Sequence, residues 1–170
     1  MRIYLLFFVT LFISTVASAE VNIYSARKEA LIKPLLQRYT EATGTRVNLV
    51  TGDADALIKR LEIEGKNSPA DVLLTVDAAR LYRAKTRGLF QPIPSAMIST
   101  RVPARYRDEE GYWTGLSLRA RVIAYATDRV RPDQLSTYED LADPKWRGRV
   151  CVRSSSNIYN QSLVAGLVAH

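Results

Sequence analysis

The chain has 170 residues and carries 24 Lys and Arg against 17 Asp and Glu, a formal net charge of +7, with a single Cys and a single His. One cysteine excludes an internal disulfide, and a lone histidine at the last position leaves a Ser-His-Asp or Cys-His system without its base. The basic residues are scattered with no block of five or more, so the charge reads mainly as a solvated surface with a few arginines left for an anion, and nucleic acid is not an expected partner.

Residues 1–19 read as a secretory signal: Arg2 is the positive start, Ile3 to Ile13 the apolar stretch, and Ala17-Ser18-Ala19 a small-residue cleavage site. That stretch is too short for a comfortable membrane span. The mature chain, from Glu20 to His170, suits one domain with a modest core.

After the signal, strand and helix patterns alternate. Val21–Tyr24 is a short β-rich run. From Lys28, Leu31, Ile32, Leu35, Leu36 and Tyr39 fall at helical spacing, and Gly44 stops that helix. Pro34 lies either in its first turn or at a kink. Arg46–Thr51 alternates as a second strand. Asp53 is placed to cap a helix that buries Ala56, Leu57, Ile58 and Leu61 and closes at Gly65. Asp71–Thr75 contains Val72, Leu73 and Leu74, a continuous apolar run of the kind buried on both faces of a sheet. A third helix runs from about Asp77 to Arg87. This β-α-β-α-β-α array predicts an α/β fold with a parallel sheet, whose ligands bind beyond the carboxyl ends of the strands.

Gln91 to Gly111 has no clean period and reads as loop. Leu116–Ala126 reads as a long strand with Ser117, Arg119 and Arg121 on one face. Two arginines facing one way need partners: either one snorkels to solvent or pairs with an Asp, or at least one faces a ligand cleft, where guanidinium suits carboxylate-like anions. Ser136-Thr137-Tyr138-Glu139 matches a capping box. Arg149–Arg153 reads as a strand holding Cys151 as a small buried hydrophobe. The polar loop Ser154-Ser155-Ser156-Asn157 follows, and from Asn160 the chain is apolar enough for a buried helix, inside which it stops at His170.

Motifs for chemistry are scarce. No CxxC, HExxH, P-loop or GxGxxG occurs, and the adjacent Glu109 and Glu110 lack an apolar setting, so the chain does not read as an enzyme. Tyrosine is the unusual resource, with nine copies. Tyr24 and Tyr159 stand out because each sits where a strand hands over to a helix. Phenol ionises near pH 10, but a hard trivalent cation displaces the proton and selects the oxygen. Each tyrosine is thus either a metal donor or a wall residue whose hydroxyl satisfies a buried group.

At these residues the chain resembles the bacterial periplasmic ferric-iron-binding proteins of ABC transporters. The likeness spans Val21 to His170. It rests on Ile23-Tyr24-Ser25-Ala26-Arg27-Lys28-Glu29-Ala30, Ser68-Pro69-Ala70-Asp71-Val72 and Gly115-Leu116-Ser117-Leu118-Arg119-Ala120-Arg121-Val122. It continues through Tyr138-Glu139-Asp140-Leu141-Ala142-Asp143-Pro144-Lys145-Trp146 and the loop Ser154 to Gln161.

The resemblance implies a two-lobed type II (Venus flytrap) binding protein. Residues 20–118 would form the first lobe, 119–126 the strand crossing the hinge and 127–170 the start of the second lobe. It implies a monomer in the periplasm that delivers ferric iron (Fe3+) to an inner-membrane ABC permease. Fe3+ would be held by tyrosinate oxygens, with carbonate or phosphate as a synergistic anion. Tyr159 matches an iron ligand, Ser155, Ser156 and Asn157 an anion-binding stretch, and Arg119 an anion-facing arginine.

There are departures. Arg27 stands where some relatives place an iron-binding histidine, and is a candidate to hold the anion instead. Val76-Asp77 stands where some relatives offer a carboxylate. The family's paired tyrosines would lie beyond residue 170, so the chain alone is expected to bind iron weakly or not at all. The alternative within this class is a protein for another small solute, such as a polyamine, sulfate or a thiamine-like compound.

Overall fold

A computed structural model describes residues 19–170; the expected signal, residues 1–18 of it, lies outside the described residues. The described chain forms two compact units, one up to Leu74 and one from Thr75 to His170.

The first unit is the predicted alternation. Strand β1 (Glu20–Ser25), helix α1 (Glu29–Thr43), strand β2 (Arg46–Thr51), helix α2 (Ala54–Glu64) and strand β3 (Val72–Leu74) follow in order. The three strands form a parallel sheet in the order β2-β1-β3, with Tyr24 of β1 opposite Val50 on one side and Leu73 on the other. Parallel neighbours need a crossover, and α1 and α2 supply it. Central placement explains why Ile23, Tyr24 and Ser25 are buried.

The helix ends follow the side chains present. Gly44 caps α1 at φ 71° with its N–H on the Thr40 carbonyl, a conformation that a residue without Cβ adopts at no steric cost. The Asp53 carboxylate accepts from the N–H groups of Asp55 and Ala56 at 2.9 and 3.2 Å and so caps α2. Pro34 lies past the first turn of α1. The buried face of α2 is Ala54, Leu57, Ile58 and Leu61, and Ala56 is exposed. β3 is shorter than expected and Val72 is exposed, because it has a sheet neighbour on one side only among the described residues.

The second unit has more irregular structure. Helix α3 (Ala78–Thr86) is capped by Asp77, helix α4 (Ala96–Arg101) by Ser95, and helix α5 (Ile158–Ala169) by Asn157, with 3-10 turns at Ala104–Tyr106, Pro132–Gln134, Glu139–Ala142 and Pro144–Trp146. α4 and the turn after it occupy the stretch expected to be loop. Lys85 of α3 reaches the buried Asp108 at 2.8 and 2.9 Å and fastens the turn that follows α4. Burial opposes the Asp108 charge, but the Lys85 bond and the Tyr112 N–H outweigh it and hold the carboxyl below its ordinary range.

Several expectations are corrected here. Neither Leu116–Ala126 nor Arg149–Arg153 is a strand: no other described backbone pairs with them, and a strand exists only through its ladder partner. Val150, Val152 and Cys151 are therefore exposed, so Cys151 is not a core hydrophobe. α5 has no buried residue, and Val164, Leu167 and Val168 face outward. Asp140, rather than Glu139, caps the turn after Ser136, accepting from the Ser136 and Thr137 N–H groups at 2.8 Å each; these bonds hold its carboxyl below the usual range.

Candidate functional site

The two singled-out tyrosines have opposite surroundings. Tyr24, in the first unit, is 1 % exposed, and its hydroxyl donates to the Glu64 carboxylate at 2.9 and 3.0 Å. The Arg60 guanidinium lies 4.7 Å over its ring, and Arg60 and Ser68 also bond Glu64, at 2.6 and 2.7 Å. Burial first, and the Glu64 bond second, push the Tyr24 phenol above its ordinary range. Tyr24 is thus a buried residue whose hydroxyl satisfies a carboxylate. Arg27, half-buried after β1, keeps its backbone N–H on the Ser25 hydroxyl at 3.1 Å.

Tyr159 stands in the second unit at the start of α5, half-exposed. The Asn157 side-chain oxygen accepts the Tyr159 N–H at 3.1 Å, which fixes the first turn of α5 and hence the direction of the ring. Three guanidinium groups surround that ring: Arg121 at 4.9 Å from its centre, Arg119 at 5.5 Å and Arg153 at 5.9 Å. Arg119 Nη1 also donates to the phenolic oxygen at 3.4 Å. Arg119 and Arg121 thus meet one ring, as period-two spacing predicts, although no ladder fixes the segment. The Tyr138 hydroxyl donates to the Arg121 carbonyl at 3.2 Å and steadies the backbone there.

The serine loop is folded on itself. The hydroxyls of Ser154 and Ser156 are 2.9 Å apart, and Gln161 Nε2 donates to the Ser155 carbonyl at 3.0 Å. The Ser155 and Ser156 side chains are exposed. Asn157 is already engaged as a cap through its oxygen.

Sequence reasoning does not name Arg153 as a site residue, and notes Asp77 only beside the position where some relatives offer a carboxylate. Arg153 carried a weak signal, because it ends the run that leads into the serine loop. Asp77 accepts the Ser162 hydroxyl at 2.8 Å and lies 3.8 Å from Arg121 Nη2. Arg121, Tyr138, Trp146, Arg153 and Tyr159 line a cleft of about 840 Å³ within this unit. Chemically, the cluster offers one phenolic oxygen, three fixed cations and one carboxylate, which suits an oxygen-bound cation together with an oxyanion.

The relatives of this chain include proteins of iron uptake and ferric-iron binding. The chain is 56 % identical over 149 residues to iron uptake protein A1 of Synechocystis, covering 88 % of this chain and 41 % of that protein. It is 34 % identical over 155 residues to the Fe(3+)-binding periplasmic protein of Serratia marcescens, covering 89 % and 45 %. A Trichodesmium protein solved in complex with iron and citrate ligands superposes with a TM-score of 0.84 at 50 % identity, over 89 % of this chain and 48 % of that one. The chain therefore spans about half the length of the relatives it matches, and its α/β fold is that of type II periplasmic solute-binding proteins. The model of one family matches residues 67–170, and on that match the chain belongs to the bacterial extracellular solute-binding protein family.

Proposed function

We propose that this chain is part of the periplasmic solute-binding component of an ABC importer that takes up ferric iron. In this reading Tyr159 contributes a phenolate oxygen to Fe3+, releasing its proton to water as the bond forms. Arg119, with Arg121 and Arg153 beside it, seats a small oxyanion such as carbonate or phosphate next to the metal. Ser155 and Ser156 supply hydroxyls at the rim, and Asn157 acts by fixing the first turn of α5. Arg27 is a second anion-holding candidate, outside this cluster. Residues 20–118 and 127–170 would belong to two lobes joined through 119–126. A ligand touching both lobes favours their closed arrangement by the contacts it gains there.

The observation that carries the reading is the Tyr159 phenol inside three guanidinium groups, with Arg119 donating to its oxygen. A structural tyrosine needs one hydrogen-bond partner; it does not need three cations converging on an open ring. Iron-binding names among the relatives point the same way.

The test is a titration of ferric nitrilotriacetate into the chain, read by the phenolate-to-iron absorption band. One phenolate binds weakly, so a faint band is expected at high ferric concentration. Tyr159→Phe removes it, and Tyr24→Phe leaves it. A band of equal strength in Tyr159→Phe and the unaltered chain would sink the proposal.

A further inference from the structure

Asp77 is the one residue other than glycine with positive φ among the described residues, at φ 74° and ψ 128°. A residue with a Cβ is disfavoured there, so the surrounding contacts must hold it. Three contacts do so. Its Oδ1 accepts the Ala79 N–H at 3.0 Å, capping α3. Its Oδ2 accepts the Ser162 hydroxyl at 2.8 Å, one turn along α5 from Tyr159. The same Oδ2 lies 3.8 Å from Arg121 Nη2, with the Asp77 side chain 11 % exposed and that of Arg121 32 % exposed.

Arg121 is therefore shared. Its guanidinium covers the Tyr159 ring on one side and meets a carboxylate on the other. At 3.8 Å this is an ion pair without a tight hydrogen bond, which an incoming oxygen acid can replace at small cost. The Arg119 and Arg153 guanidinium groups beside it have no comparable carboxylate among the ion pairs described.

We propose that Asp77 is an internal counter-ion for Arg121: it occupies the guanidinium until a small oxyanion arrives beside Tyr159 and displaces it. Asp77 is thereby a specificity-determining residue. Every anion entering the cluster meets its charge, and only one with several oxygen acceptors recovers the loss by engaging Arg119 and Arg121 together. The inference rests on the reading of these arginines as an anion seat.

The experiment is calorimetric titration of inorganic phosphate into the full 170-residue chain without iron, and into Asp77→Asn, Arg121→Gln and the double variant. Asparagine keeps the Oδ1 acceptor for the Ala79 N–H and replaces the second oxygen by an NH2 that donates to the Ser162 hydroxyl oxygen, while removing the charge. Phosphate affinity should rise about fivefold in Asp77→Asn, the effect of deleting one opposing charge at roughly 4 Å in a solvated setting. It should fall in Arg121→Gln, and the rise caused by Asp77→Asn should vanish in the Arg121→Gln background. Thermal melts report whether each variant folds. Should Asp77→Asn fail to fold, Asp77→Glu supplies the second measurement: the longer carboxylate retains the charge, and affinity should stay within twofold of the unaltered chain. Equal phosphate affinity in Asp77→Asn and the unaltered chain, with loss on Arg121→Gln, overturns the counter-ion and spares the anion seat. Absence of phosphate binding in every form overturns both.

Discussion

Replacing Tyr24 by Phe separates the two tyrosines that looked alike as amino acids. The substitution keeps the ring, its burial and the Arg60 stacking at 4.7 Å, and deletes only the hydroxyl that donates to Glu64. Glu64 retains Ser68 at 2.7 Å and Arg60 at 2.6 Å, so no buried acceptor is stranded. The loss is one charge-assisted hydrogen bond, worth about 1.5–3 kcal/mol, and the remaining partners place it at the lower end. At about 2–4 °C per kcal/mol for a chain of this size, Tm should drop by about 3–6 °C.

A second signature distinguishes this from generic damage. The raised Tyr24 phenol keeps its proton in the fold, while the unfolded chain releases it near pH 10. Its contribution is therefore complete below about pH 10 and is lost as pH rises above that, because the unfolded state then binds fewer protons. Melting curves at neutral pH and between about pH 9 and 11 read both effects. A Tyr24→Phe chain with the parental Tm, or with the parental alkaline decline, would refute the buried-donor account.

Two further outcomes follow from the same contacts. Asp108 and Asp140 are held below the usual carboxylate range, so their contribution is complete above about pH 5 and falls as pH drops through 4 and below. Acid melting should show that decline, and Asp108→Asn, which weakens the anchor to Lys85, should lower stability at pH 7 and flatten the acid limb. Asp53→Ala removes the acceptor for two N–H groups of α2 and should cost about 1 kcal/mol, read by urea unfolding, whereas Asp53→Asn should cost little.

The first unit was readable along the chain because its determinants are local. Apolar spacing set α1 and α2, Asp53 and Gly44 ended them, and short β-rich runs between helices imply a parallel sheet. The pairing of Arg119 and Arg121 on one face was legible for the same reason, since i and i+2 point the same way in an outstretched chain. The resemblance to ferric-iron-binding proteins was likewise carried by contiguous motifs, and the comparisons bear it out.

What the tertiary structure decided involves partners far apart in sequence. Tyr24 and Tyr159 both sit near the handover from a β-rich run to a helix, yet Glu64, distant in sequence, turned one into a buried donor, and three arginines turned the other into an open, cation-ringed phenol. Leu116–Ala126 and Arg149–Arg153 carry strand-like residues, but β structure requires a backbone neighbour that a segment cannot specify alone. Asp77 shows the limit most plainly: the sequence places it at the start of a helix, beside a position where some relatives offer a carboxylate, and only the approach of Ser162 and Arg121 makes it a counter-ion at the Tyr159 cluster. Local spacing and capping are properties of adjacent residues, and so the amino-acid sequence determined them. Burial, charge pairing and strand partnership depend on which distant groups the fold brings within a few ångströms.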